Sequence, residues 1–290
     1  MVSEIPVLVC HFGKNEYVKN NLKITSKNNK IVFIGDDEDN AKGIENVDFI
    51  DVRNFMQLDK IKYFREHFKP YNTSDSYFVW LWYLRVFVIG EYVFQTNSKS
   101  IFHIDSDNIL LSDVNKYNFN KEIAFCIPPN KDSTYMSGSI HSGLLNEMFF
   151  KSFEEFYTGI FIDKSKFHLI EKKIKYHENF GNGGICDRTI IYLIYMANKK
   201  NIQNLLSIDT NKNIEGVVFM NNLNDSEGLE TKYQFKTDQQ RKIKIFNIEN
   251  NFYIYDIPKQ CFVKIMNIHF QGNAKSLLTS KVFLDTLDNV

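Results

Sequence analysis

Two clusters of residues in this chain have the types and spacing for chemistry on a charged, oxygen-rich substrate. The first is Asp105-Ser106-Asp107-Asn108, which follows Ile101-Phe102-His103-Ile104 without a spacer and runs into Ile109-Leu110-Leu111. Two carboxylates fixed between apolar runs are costly unless a cation or hydrogen-bond donors offset them. The second is His269-Phe270-Gln271-Gly272-Asn273-Ala274-Lys275, a histidine after an apolar run and a lysine beyond a glycine. Imidazole nitrogen with carboxylate oxygen suits Mn²⁺ or a similar borderline cation. The lysine would neutralise a phosphate oxygen that the metal does not reach. Taken singly, each cluster has a plainer reading: a polar turn or a helix cap at Asp107, and a surface histidine and lysine flanking a glycine turn. Asp37-Glu38-Asp39 is a built-in control, a second triplet of the same form standing in an acidic run after Gly35 and reading as a solvated turn.

These residues need a frame to hold them. Residues 7–10 and 31–34 are short apolar runs ending in glycine-marked turns, and both read as buried strands. The mixed polar and apolar spacing of residues 15–27 suits a crossover helix, which makes a βαβ unit and predicts a parallel sheet. A third strand is expected over 46–52. One long apolar helix is expected over 74–94, capped by Ser74 or Asp75, with Arg85 its only charge between residues 76 and 90. The strand at 101–104 then carries Asp105 and Asp107 at its C-terminal end, where open α/β sheets hold ligands. Further on, 123–127 reads as a strand, 128–142 as a loop, 144–177 as mostly helical and 186–197 as a helix after a glycine break at 180–184. Residues 211–230 are polar and loop-like, and 242–246 with 251–255 alternate like a hairpin.

Composition narrows the classes. The chain has 290 residues, 43% of them hydrophobic, ample for a core. Thirty-five basic residues balance thirty-five acidic ones, which leaves no broad cationic field for nucleic acid or an anionic membrane. Cysteines at 10, 126, 186 and 261 show no C-x-x-C spacing, so reduced thiols and a cytoplasmic location are expected. Glu4 and Pro6 stand where a signal peptide has a basic residue and a long apolar run. The longest apolar stretch, residues 77–89, is interrupted by Arg85 and shorter than the ~20 residues of a membrane span, so a buried helix and no transmembrane segment are expected. No G-x-x-x-x-G-K, H-E-x-x-H or G-x-S-x-G occurs. The histidines at 67, 103, 141, 168 and 177 lack ligand spacing and read as surface or satisfied core residues.

A strand-fed D-x-D in the first half, with H-F-x-G-x-x-K near the C-terminus, resembles the GT-A glycosyltransferases, particularly small metal-dependent bacterial and viral ones. The resemblance runs in order from Val7 to Lys275. It implies a Rossmann-like α/β domain over residues 1–290, with a mostly parallel central sheet flanked by helices. The donor-nucleotide half covers 1–112, the acceptor half 113–264 and the C-terminal metal and diphosphate motif 265–276, with a tail to 290. It also implies Mn²⁺ or Mg²⁺ chelated by Asp107 and His269, Asp105 near the ribose and metal waters, and Lys275 on the diphosphate of a nucleoside-diphosphate sugar, UDP favoured. The acceptor would be a glycan or a lipid- or protein-linked hydroxyl.

Arg85 resembles an arginine that braces the nucleotide in capsular-sugar and mannosyltransferase-like relatives, although the usual Gly-Gly before the D-x-D strand is absent; its other reading is an arginine that pairs with Asp105 or snorkels from its helix. His11 and Gly13 would border the nucleotide, and Asp36 would accept from a base imide. Gly183-Gly184-Ile185-Cys186-Asp187 resembles an acceptor-side loop, making Asp187 the general base. Its other reading is a first-turn acid that favours the helix dipole. Residues 137–143 read as a mobile acceptor loop or a plain connector. The same C-terminal ending resembles retaining enzymes too, so stereochemistry stays open. Two rivals are weaker. A sugar-1-phosphate nucleotidyltransferase needs a Gly-rich basic loop after the first strand, of which His11-Phe12-Gly13-Lys14 is a poor version. A non-catalytic cation- or carbohydrate-binding module rarely needs so much parallel α/β scaffold.

Overall fold

The N-terminal apolar runs pair as the βαβ pattern requires. In a computed structural model describing residues 4–128, 134–181, 183–207, 217–220, 222–224, 235–239, 242–249, 251–281 and 283, β1 (Val7–His11), β2 (Ile31–Gly35) and β3 (Val47–Asp51) lie parallel, with α1 (Glu16–Thr25) crossing between the first two. Every residue of β2 is buried, as a strand covered on both faces must be. Two short helices, α2 (Arg53–Met56) and α3 (Asp59–His67), lead to α4 (Ser76–Thr96). Of the two expected caps it is Asp75 that serves, its carboxylate accepting from Tyr77 N at 2.8 Å. Asn97, at φ 50°, ends the helix.

The next strands are β4 (Ile101–Ile104), β5 (Asn108–Leu110), β6 (Ile123–Cys126) and β7 (Ser139–Leu145). Helices α5 (Glu147–Tyr157), α6 (Glu171–Phe180) and α7 (Asp187–Asn198) and strand β8 (Ile202–Asn204) follow. The central sheet has seven strands in the order β3-β2-β1-β4-β7-β6-β8, and β7 alone runs against its neighbours. This is the mostly parallel α/β class. Apolar side chains of α4 and α5 meet on one face of it: a Cβ added at Gly90 would lie 3.1 Å from the Phe150 ring, so the ring rests on bare helix backbone. By length and composition α4 is the one helix among the described residues apolar enough to cross a membrane; 56% of that apolar window is buried within the fold.

Three segments differ from the sequence expectation. Residues 139–143 are not loop but strand β7, buried along its whole length. Its small residues answer to packing: a Cβ at Gly138, just before it, would come within 2.9 Å of Ile191 Cγ2 and Tyr192 N in α7. The helical run expected from 144 begins at Glu147, where Asn146 caps Phe149 N at 3.2 Å, and it is interrupted by a π-helical turn over Thr158–Ile162. The hairpin is shifted, because Lys242 and Ile243 pair with Asn224 and Thr237. A second sheet contains β9 (Val217–Val218), β10 (Phe246–Ile248), β11 (Asn251–Asp256) and β12 (Cys261–Ile265), in the order β10-β11-β12-β9. Most of 211–230 and of the tail beyond 281 lies outside the described residues.

Candidate active site

The two motifs are brought together by one short ladder. On leaving β4 the chain turns sharply, Asn108 N donating to Asp105 O at 3.0 Å, and enters β5. Strand β13 (Asn267–His269) pairs antiparallel with β5, in the register His269↔Asn108 and Ile268↔Ile109. Phe270 N then donates to Asp107 O at 2.8 Å. His269 is thereby set opposite the residue that follows Asp107. The outcome is a cluster: His269 Nε2 lies 3.4 Å from Asp107 Oδ1, and Lys275 Nζ 3.1 Å from Asp107 Oδ2. Ligand atoms of Asp105, Asp107 and His269 all lie within 4.8 Å of one another. Two carboxylates and an imidazole, with Asp107 and His269 buried, are a donor set that fits Mn²⁺ or Mg²⁺.

Neutral polar residues hold this turn, and among them Asn21 had nothing in its spacing to mark it in the sequence. Asn21 of α1 donates through Nδ2 to Ser106 O at 2.9 Å and Asn108 O at 3.1 Å, while its Oδ1 accepts from Thr25 Oγ1. Asn108 donates to Ser142 Oγ at 2.8 Å and to His141 O, and accepts from Asn267 Nδ2 at 2.6 Å. Two histidines expected to be bystanders also belong here. His103 Nε2 is 3.3 Å from Asp105 Oδ1, and the His141 ring stacks on His269 at 4.3 Å between centroids. Only the fold reveals this, since β7 places His141 where a loop was expected.

Arg85 joins the two acidic sides of the cleft, Nη1 lying 2.6 Å from Asp105 Oδ1 and Nη2 3.1 Å from Asp187 Oδ2. Burial alone would raise the Asp105 carboxyl, but the Arg85 guanidinium and His103 outweigh it and hold it well below the usual range. Burial likewise opposes ionisation of Asp107, and the hydrogen bond from His269 overcomes it, so that pKa is lowered. At Asp187 burial wins: its pKa is raised, with Arg85 offsetting only part. Burial works against the Lys275 ammonium, yet Asp107 and Tyr17 keep its pKa above the ordinary value. His11 is pushed by burial to about 4 and is neutral.

The cleft these groups share has a volume of about 740 Å³. On the Lys275 side it is bordered by His11 and Tyr17. His11 Nδ1 is 2.9 Å from Ser106 Oγ, which ties the first strand's end to the D-x-D turn. Gly13, at φ +90°, donates its N–H to Asp36 Oδ1 at 2.6 Å, so Asp36 braces the loop behind His11; neither residue is among those lining the cleft. Across the cleft, Gly184 at φ +140° lets the chain pass Tyr71, whose carbonyl oxygen would sit 2.2 Å from an added Cβ. That loop delivers Asp187 as the first residue of α7, on the cleft wall. Arg85, Asp105, Asp107, Asp187, His269 and Lys275 thus meet in one place.

No family model matches the chain, and no curated protein matches it in sequence. Solved structures similar to it include glycosyltransferases. The PaToxG glycosyltransferase is 11% identical over 68% of this chain and 70% of that one, with a TM-score of 0.38. The apo form of glycosyltransferase GlyE from Streptococcus pneumoniae TIGR4 is 16% identical over 70% of this chain and 45% of that one, with a TM-score of 0.37. The apo WbbM bifunctional glycosyltransferase is 13% identical over 77% and 41%, with a TM-score of 0.36. The chain thus spans less than half the length of the last two. What the cleft can do is read from its own residues.

Proposed function

We propose that this chain is a metal-dependent glycosyltransferase that moves a sugar from a nucleoside-diphosphate sugar, a UDP-sugar by preference, to a hydroxyl of a glycan or of a lipid- or protein-linked acceptor. The observation that carries this reading is the convergence of Asp105, Asp107 and His269 with Lys275 at the C-terminal end of a central strand, in a cleft large enough for a nucleotide sugar.

In such a transfer, the bond between the anomeric carbon and a phosphate oxygen breaks. Positive charge grows on the sugar ring and negative charge on the departing diphosphate. When bound, Mn²⁺ or Mg²⁺ supplies charge to the leaving diphosphate from Asp105, Asp107 and His269. Lys275, fixed against Asp107, adds an ammonium on that side without reorganising during the reaction. Asp187 lies on the other side of Arg85, where its raised pKa suits a base that takes the proton of the acceptor hydroxyl. Arg85 keeps Asp105 ionised and fixes the two carboxylates relative to each other.

The test is a screen of UDP-, GDP- and dTDP-sugars with Mn²⁺, reading thermal stabilisation and sugar release in wild type and Asp107→Ala. Stabilisation of the wild type alone by one nucleotide sugar is the expected result. If no nucleotide sugar distinguishes the two proteins, the donor site is wrongly assigned.

A further inference from the structure

Four lysine or arginine side chains are among the described residues lining the cleft, and three are committed. Arg85 is divided between Asp105 and Asp187. Lys173 donates to Tyr135 O and Met136 O, each at 3.1 Å, and to Thr189 Oγ1 at 2.9 Å. Lys275 is paired with Asp107. The fourth, Arg188, is half-buried on the same wall, and its guanidinium has no hydrogen-bond or ion-pair partner among the described residues. The guanidinium keeps contact with solvent, since none of its nitrogens is among the buried polar atoms left without a partner, and its planar fork matches a carboxylate. A cation kept in a cleft under those terms is suited to a ligand's anion.

We propose that Arg188 binds a carboxylate carried by the substrate sugar, so that the enzyme acts on an acidic pyranose. This deepens the glycosyl-transfer reading and rests on it. Position argues against the diphosphate as Arg188's partner. Arg188 directly follows Asp187, and its carbonyl accepts from Gly138 N at 3.0 Å, which fixes it at the α7 end of the cleft. Its charge is felt at Asp187, Cys186, Lys173 and His141, whereas that of Lys275 is felt at His11, Tyr17 and Asp107. Of the two cations it is Lys275 that pairs with a D-x-D carboxylate, while Arg188 stands at the α7 end. Trp82 and Tyr176 line the same cleft and offer flat apolar faces. An apolar face of a pyranose packs on such rings while its carboxylate reaches the guanidinium.

The chain has two tryptophans, Trp80 and Trp82, so Trp80→Phe leaves Trp82 as the sole reporter in the cleft wall. In that background, binding is read from Trp82 fluorescence for Arg188, Arg188→Gln and Arg188→Lys. An acceptor arm compares methyl glucuronide and methyl galacturonide with their neutral glucoside and galactoside twins. A donor arm, with Mn²⁺, compares UDP-glucuronate and UDP-galacturonate with UDP-glucose and UDP-galactose. In one arm the acid should bind roughly 10-fold tighter than its neutral twin. Arg188→Gln should erase that preference, Arg188→Lys should keep part of it, and neutral twins should bind all three proteins alike. The arm that shows the preference identifies which sugar bears the acid. Equal binding of acid and neutral twins in both arms overturns the proposal. So does an Arg188→Gln loss for UDP alone as large as that for the acidic sugars, which would assign the guanidinium to the diphosphate. If no nucleotide binds any variant, glycosyl transfer falls while the methyl-glycoside arm still reports on Arg188.

Discussion

Asp37-Glu38-Asp39 and Asp105-Ser106-Asp107 have the same form and opposite fates. The first lies at a 3-10 turn, where Asp37 caps its own backbone at Asp39 N and Asp39 pairs with Lys14 while its side chain stays 53% exposed. The second is fed by a central strand, and the Asp107 side chain is 10% exposed. Water can solvate one triplet; the fold must solvate the other. It does so with Arg85, Lys275 and His269 on the carboxylates, and with Asn21 and the β5–β13 ladder on the backbone. The tripeptide itself carries little information about function, and the donors around it carry most of it.

The sharpest break in that comparison is functional. Asp107→Ala should lower Mn²⁺-dependent sugar transfer by roughly 10²–10³-fold, measured as kcat/KM with the best nucleotide sugar, whereas Asp39→Ala should leave it within about twofold of wild type. Next comes the backbone support. Asn21→Ala strips the Nδ2 donor from buried carbonyls and should cost about 2 kcal/mol of stability in urea unfolding. It should also weaken Mn²⁺ binding by roughly 10-fold or more, since the turn that aims Asp105 and Asp107 loses its brace.

A third effect concerns pH. Burial depresses the pKa values of His11, His103 and His141, that of His11 from 6.5 to about 4. Across that window the unfolded chain binds more protons than the native one. Stability is therefore fully present above the unfolded value and is lost as pH falls from 6.5 towards about 4. Urea midpoints of the metal-free protein at about pH 7.5 and about pH 5 should show this drop, and His11→Gln should lessen it. For catalysis the sign follows Asp187: its raised pKa predicts that kcat/KM falls on acidification with a midpoint above the ordinary aspartate value of roughly 3.9, and that Asp187→Asn removes most activity. The smallest effect belongs to the exposed triplet, where Lys14→Ala should leave the melting temperature unchanged within error.

Much of this was legible in the sequence because it rests on local pattern. The apolar runs at β1, β2 and β4 are continuous, as strands covered on both faces must be, and Asp105 follows the last of them directly. His269 and Lys275 were legible through their pairing with Asp105 and Asp107. What escaped was what the fold alone decides. Strand β7 is rich in serine and glycine because helix α7 packs against its entry and its hydroxyls meet Asn108 and His141, so its composition mimics a loop. Asn21 sits among ordinary helix residues, and no pattern shows that one asparagine faces the carbonyls of Ser106 and Asn108. Arg188 next to Asp187 reads as a common first-turn residue until the commitments of every other cleft cation are known.

The most direct measurement is a calorimetric titration of Mn²⁺ followed by UDP into wild type, Asp107→Asn and Asp39→Asn. Wild type and Asp39→Asn should bind the metal, and then UDP more tightly with metal than without, while Asp107→Asn should lose both the metal and the gain in UDP affinity. Metal-dependent UDP binding that survives in Asp107→Asn, or that disappears in Asp39→Asn, would contradict the assignment of the buried triplet as the donor site.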